Sequence, residues 1–265
     1  MNANFPLEHL ERGAFEAWFG AAGKWSPASF RWSLVDIGDA RCSVCASDSS
    51  ILINRVFGLG SRSDPSATQL AAIRRVYADA GVERFFLHVT PGYPDELRSR
   101  LEDAGFERYR GWMKFTRGTD RIEDRDTELT LRTVGRGEAG AFAAIACAAF
   151  GLQPGTEAAV ASLVEADGWS VHMSFDDNEP AGCGALYVHG GLGYLDWGAT
   201  RPEYRRRGSQ TALLGSRLRA AKVAGCTTIV TMTGEAVPGD RQQSYSNILR
   251  AGFAEAYLRE NWIPV

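Results

Sequence analysis

The sequence predicts an α/β protein built from two similar units, and three observations predict it. Strand-like and helix-like segments alternate along most of the 265 residues. The chain also repeats itself. Ala80-Gly81-Val82-Glu83-Arg84-Phe85-Phe86 is matched by Ala224-Gly225-Cys226-Thr227-Thr228-Ile229-Val230, and Ala104-Gly105-Phe106-Glu107 by Ala251-Gly252-Phe253-Ala254. Gly81 and Gly225 are 144 positions apart, and Gly105 and Gly252 are 147 apart, so order and spacing persist across two elements. Finally, a strand-like segment, Leu192 to Thr200, runs into Tyr204-Arg205-Arg206-Arg207-Gly208-Ser209-Gln210-Thr211 and then an apolar helical pattern.

In the first unit, Phe15 to Ala22 reads as a helix, and strands are expected near Phe30–Ile37, Arg41–Ser47 and Ile51–Gly58. Leu70, Ile73, Val76 and Tyr77 have the three-and-four spacing of a helix over Ser66–Ala80. Gly81 caps it and strand Arg84–Val89 follows. A helix over Pro94–Ala104 and a strand pair over Phe106–Arg117 complete the unit, and the highly charged Thr119–Thr127 reads as a linker. The second unit opens with strand Leu129–Val134, then helices over Glu138–Phe150 and Thr156–Ala166. Strands follow at Ser170–Phe175, Ala181–Val188 and Leu192–Thr200, then helix Ser209–Ala224, strand Thr228–Thr233, helix Arg241–Arg250 and a strand pair over Phe253–Trp262. The expected domains are 1–120 and 126–265.

The basic turn carries the chemistry. The first amides of a helix have no intrahelical acceptor, and the helix dipole adds positive charge beside them. Gly208 admits an anion to the backbone without a Cβ in the way. The combination suits a pyrophosphate.

Strand, basic turn, helix, strand and a helix ending at Gly252-Phe253 resemble the GNAT superfamily of N-acetyltransferases. Its signature turn has Arg or Gln, two residues, Gly, one residue, then Gly or Ala. Arg205 and Gly208 match it, whereas Gln210 occupies the final small position and is expected to turn outward or to donate to the ligand. The resemblance implies an N-acetyltransferase that moves acetyl from acetyl-CoA, as co-substrate, to a primary amine of a small molecule or peptide. It also implies two units, each a mixed, mostly antiparallel sheet flanked by helices. Gly198, Ala199 and Thr200 would pair with the pantetheine arm; Arg205 to Thr211 would cradle the pyrophosphate. Arg206 or Arg207 would reach the ribose phosphate, and Ser244 and Asn247 would touch the pantetheine or brace their helix. The first unit resembles the same fold with its turn eroded: Gly58-Leu59-Gly60 lacks the basic cluster, and Asp64 puts a negative charge there.

Acyl transfer needs a base for the amine and an acid for the leaving thiolate. Asp196, an acid inside the apolar strand Tyr194-Leu195-Asp196-Trp197, is the first candidate for base, with Glu235 second. The family's acid tyrosine falls at Ile248, which leaves Tyr245 and Tyr257 as substitutes. That departure keeps a second reading open, a non-catalytic CoA-binding or regulatory module. His88, His172 and His189 read as structural.

The totals bound the rest. A net charge of −3 argues against general nucleic-acid binding. A membrane span needs about 18 or more consecutive apolar residues, and none occurs. No secretion signal is evident, and five scattered cysteines suit a reducing cytoplasm. Cys42 and Cys45 form one CxxC on opposite faces of a strand, without a second pair, so no metal is expected. The chain is expected to act as a monomer or homodimer.

Overall fold

In the computed structural model the described residues are 5–61, 64–89, 92–93, 95–122, 127–239 and 243–265. Parts of four expected segments lie outside them: residues 62–63 of the first-unit turn, 94 and 241–242 at helix starts, and 123–126 of the linker. The first half contains α1 (Phe5–Trp25), β1 (Trp32–Ile37), β2 (Ala40–Cys45), β3 (Arg55–Phe57) and α2 (Ala67–Asp79). β4 (Phe86–Val89), α3 (Asp95–Asp103) and β5 (Phe106–Arg117) follow. The second half contains β6 (Thr130–Val134), α4 (Ala139–Phe150), α5 (Glu157–Ala161), β7 (Trp169–Asp176) and β8 (Glu179–His189). β9 (Leu192–Thr200), α6 (Ser209–Val223), β10 (Thr228–Gly234), α7 (Gln243–Arg250) and β11 (Ala254–Pro264) complete it.

This is the expected mixed α/β architecture, but the eleven strands of the described residues all join one sheet, in the order β1-β2-β3-β4-β11-β5-β10-β9-β8-β7-β6. The two expected C-terminal strand pairs are each a single long strand. β5, from the first half, lies between β10 and β11, pairing antiparallel with both. β11, from the second half, lies between β4 and β5. Each half thus takes a strand from the other, which removes what would otherwise be two open edges in the middle of the molecule.

α1 is longer than expected and covers both halves. Phe15 packs on Phe57 and Trp32 of the first half, while Trp18 packs edge-on against Trp197 of the second and donates from Nε1 to the Ala159 carbonyl at 2.7 Å. With α4 it buries one face of the second half, including Phe142, Val171 and Met173. α6 and α7 bury the other face around Leu195, Leu214, Leu218 and Ile248. α2 and α3 form a separate core through Leu70, Ile73, Tyr77 and Leu101.

Beneath α1 sits a buried ionic cluster. Glu11, 1% exposed, faces Arg55, Lys114 and Arg259, and Glu8 accepts from Arg259 at 2.8 Å. Burial by itself would raise the Glu11 carboxyl, but Arg259, Lys114 and Arg55 outweigh it and hold the group well below its ordinary range.

Cys42 and Cys45 occupy opposite faces, in two different cores. Both are buried thiols, and burial pushes them up to about 12 and about 11. No helix among the described residues is long and apolar enough to cross a membrane.

Candidate active site at the β9–β10 splay

β9 and β10 are parallel neighbours only from Leu192–Thr228 to Leu195–Thr231, where Thr231 Oγ1 donates to the Leu195 carbonyl at 3.0 Å. Beyond that point β9 remains paired with β8 as far as Thr200, but its β10 side is open. A bulge marks the divergence. Cys183 faces Ala199 and Ala185 faces Asp196, so Trp197 and Gly198 oppose Gly184 alone, and Trp197 adopts the left-handed conformation at φ 56°. Consecutive side chains, Asp196 and Trp197, consequently point to the α1 side of the sheet.

After β9, Pro202 to Tyr204 make one 3₁₀ turn. Arg206 (φ 65°) and Gly208 (φ 82°) are left-handed, and α6 starts at Ser209. Ala212 is the first residue of that helix to donate to a helix-start carbonyl, that of Gly208, at 3.0 Å. The amides of Ser209, Gln210 and Thr211 precede it at the helix start, where backbone N–H groups have no intrahelical acceptor.

A cleft of about 650 Å³ joins the open β9 edge to this helix start. Gly198, Ala199, Thr200, Arg205, Arg206, Gly208, Ser209, Gln210, Thr211, Ser244 and Asn247 all line it, with Phe150 of α4 as the facing wall. Arg207 does not. It turns away into a bidentate ion pair with Asp176, at 2.7 and 2.8 Å. Gln210 neither projects outward nor stands free: Asn247 Nδ2 donates to its Oε1 at 2.5 Å, tying α6 to α7 across the cleft floor. The Ser209 hydroxyl is buried, 2.8 Å from Ser174 Oγ, so Ser209 offers the cleft its backbone.

Asp196 is half-buried on the opposite side of the bulge. Its carboxylate accepts from the Trp197 amide at 2.8 Å and from the Tyr194 hydroxyl at 3.1 Å. Burial raises its pKa above the ordinary 3.8, against the pull of the Trp197 amide and Arg55. Tyr194, not singled out from sequence, orients this acid; the signal was its spacing of two along the strand.

The two tyrosines are placed elsewhere. The Tyr245 phenol donates to Glu255, packs edge-on against Phe115 at 4.8 Å, and is pushed up to about 12, by burial first and then by Glu255. The Tyr257 phenol donates to Glu8 under α1 and is raised by burial. Ile248 is core, with Leu214 and Leu218. Glu235 accepts from Gly111 N at 3.0 Å and from Arg108 at the β5 edge. His88 is buried 2.8 Å from Asn261 Oδ1, and His172, depressed to about 4 by burial, lies 3.0 Å from Ser216 Oγ.

At the corresponding place in the first half, β3 and β4 pair in parallel only as far as Val56–Leu87, and Phe57 occupies the position that Asp196 has in β9. The described part of the turn is filled. The Tyr93 ring lies on Gly60, where a Cβ would come within 2.6 Å of it, and its hydroxyl donates to the Leu59 carbonyl at 2.9 Å. Ser66 caps α2 itself by accepting from Gln69 N.

Residues 117–238 match the acetyltransferase (GNAT) domain family, a stretch that contains both the β9–β10 divergence and the turn at Gly208. Solved structures similar to the chain include a GCN5-related N-acetyltransferase from Kribbella flavida (16% identity, TM-score 0.64, covering 94% of this chain and 93% of that one). A GCN5-related N-acetyltransferase from Sphaerobacter thermophilus has 16% identity and a TM-score of 0.62 over 86% of this chain and 81% of that one. A tandem GNAT protein from the clavulanic acid biosynthesis pathway has 13% identity and a TM-score of 0.61 over 94% and 87%. At these identities the likeness is one of fold. No curated protein matches the chain.

Proposed function

We propose that the protein is an acetyl-CoA-dependent N-acetyltransferase acting on a primary amine of a small molecule or peptide. The observation that carries this reading is the continuous 650 Å³ cleft from the open β9 edge to the left-handed Gly208 at the start of α6. The edge offers unpaired backbone to the amide-rich pantetheine arm, as a sheet edge does to an added strand. The helix start and Arg205 and Arg206 offer amides and charge to the phosphates. The second unit, 126–265, is then the cofactor-binding one. The first, 1–120, is a degenerate copy whose turn is filled by Tyr93 and whose α1 walls the acceptor side.

In the reaction, Asp196 takes a proton from the incoming amine, and the nitrogen attacks the thioester carbon. Backbone amides at the bulge face the oxygen as it gains charge. The C–S bond breaks, and CoA leaves as thiolate and takes a proton from solvent. Tyr245 and Tyr257 have their hydroxyls on Glu255 and Glu8, so neither serves as the acid.

The core-packed Ile248 favours a second reading, a CoA-binding module without turnover. Calorimetric titration with acetyl-CoA and release of free thiol with a panel of amines separate the two. The enzyme reading expects binding that Gly208→Glu abolishes, with unchanged melting as the control, and thiol release on at least one amine. Binding without release on any amine selects the second reading; absence of binding sinks both.

A further inference from the structure

Under the bulge, on the face opposite Asp196's carboxylate, lies a cation that the reaction as described does not use. Arg217 of α6 is 3% exposed. Its Nε donates to the Leu213 carbonyl at 3.1 Å, and Nη1 donates to the carbonyls of Ala185 (3.3 Å) and Asp196 (3.1 Å). These acceptors are main-chain oxygens, an unusual destination for a charge taken so far out of water. Ala185 and Asp196 are the last regular pair before the register shift, so the guanidinium clamps the two strands where β9 begins to diverge. The backbone is shaped to admit it. A Cβ on Gly184 would lie 2.5 Å from the guanidinium carbon, and one on Gly198 would lie 3.7 Å from Nη2. Gly198 is itself a cleft residue, so the cation reaches to the underside of the backbone that lines the cleft.

We propose that Arg217 is a positioning residue for acyl transfer: it fixes the β9 bulge from below, and with it the backbone that carries the Asp196 carboxylate and the Gly198 backbone at the cleft, and places positive charge under the site of developing negative charge. This rests on the acetyltransferase reading above. Helical packing alone would be served by an apolar side chain at 217, which would also avoid burying a charge. The arginine instead joins the two carbonyls of the last regular β8–β9 pair before the bulge.

The test compares Arg217→Met and Arg217→Lys with the wild type. Around the Asp196 carboxyl stand Tyr194 of its own strand, Glu11 of α1 and Arg55 of β3, with Arg217 below. Arg217→Met is expected to lower kcat roughly 10²-fold, the cost of slightly misplaced reacting groups. Its acetyl-CoA dissociation constant should stay within about threefold, since the phosphate turn is untouched. Arg217→Lys, which keeps the charge, should recover part of the loss. Gly184→Ala, which displaces the guanidinium without removing it, should reproduce the defect. Independently of turnover, carboxyl-carbon NMR should show Asp196 titrating at a higher pH in Arg217→Met than in the wild type, because the cation coupled to it is gone. A folded Arg217→Met with wild-type kcat overturns the proposal, as does an unmoved Asp196 titration. If the wild type itself transfers nothing to any amine, the acetyltransferase reading fails on that result, and the NMR titration still decides whether Arg217 sets the state of Asp196.

Discussion

Asp196 and Glu11 line one cavity of about 10 Å³, room for roughly one water, yet their surroundings drive them in opposite directions. Burial raises Asp196, so its proton is held more tightly in the folded protein than in the unfolded chain. Its contribution to stability is therefore present at low pH and lost as pH rises through the raised folded value. Glu11 is depressed by its three cations, so its contribution is present above the ordinary carboxyl value of 4.5 and lost as pH falls through the depressed one. Melting curves across the acid range should show this directly. Relative to wild type, Asp196→Asn should gain stability as pH rises, and Glu11→Gln should lose it. Parallel pH profiles for the two variants would contradict the assignment. In kinetics, Asp196→Asn should lower turnover by about 10²–10⁴-fold while leaving acetyl-CoA affinity intact. The acid limb of kcat/KM should report the same raised pKa, with activity lost as Asp196 takes up its proton. An Asn variant as active as wild type would remove Asp196 from the mechanism.

At the scale of elements, α1 is held by ions as much as by aromatic packing. Lys114 and Arg259 are 0% exposed, and Glu11 pairs with both as well as with Arg55. Glu11→Ala would leave these cations buried around a missing partner, at a cost of about 3–5 kcal/mol. A fall in melting temperature on the order of 10 °C is expected; a change of a degree or two would mean that the cluster relaxes or hydrates. The same cluster explains why α1 was only partly legible. Glu8, Glu11 and Arg12 interrupt the apolar spacing, so only Phe15–Ala22 reads as amphipathic, although both interrupting acids point inward. The strand–turn–helix around Gly208 was legible because its determinants are contiguous: strand, arginines, glycine and helix start lie within twenty residues. Other parts of the site depend on distant partners. Nothing next to Gln210 reveals that Asn247 will hold it, nor does anything around Tyr257 reveal Glu8 across 249 positions. The strand pairs expected over Phe106–Arg117 and Phe253–Trp262 became single strands for the same reason. Local alternation marks a strand but not its neighbours.

For the whole molecule, the consequence of exchanging β5 and β11 is that the repeat in sequence does not correspond to two separable sheets. Cut off at residue 122, the first half would retain β5 with neither β10 nor β11 beside it. The second half alone would leave β11 without either of its partners, β4 and β5, and would open β10 along its length. Long unpaired edges of this kind are templates for aggregation. The halves also share α1, whose Phe15 and Trp18 belong to one core with Phe57 of the first half and Phe142 and Val171 of the second. Residues 1–122 and 123–265 expressed separately should accordingly lack cooperative melting and the near-ultraviolet signal of ordered tryptophans. Co-expressed, they should copurify one to one and regain both, because every pairing in the sheet is restored without the connecting peptide bond. Acetyl-CoA titration gives the decisive comparison, since the whole proposed cradle lies in the second fragment and yet β10, one wall of the V, is braced by β5 from the first. Affinity should be absent from 123–265 alone and return in the complex. Full affinity in the isolated fragment would show that the second unit folds on its own and that the exchanged strands only dock it to the first.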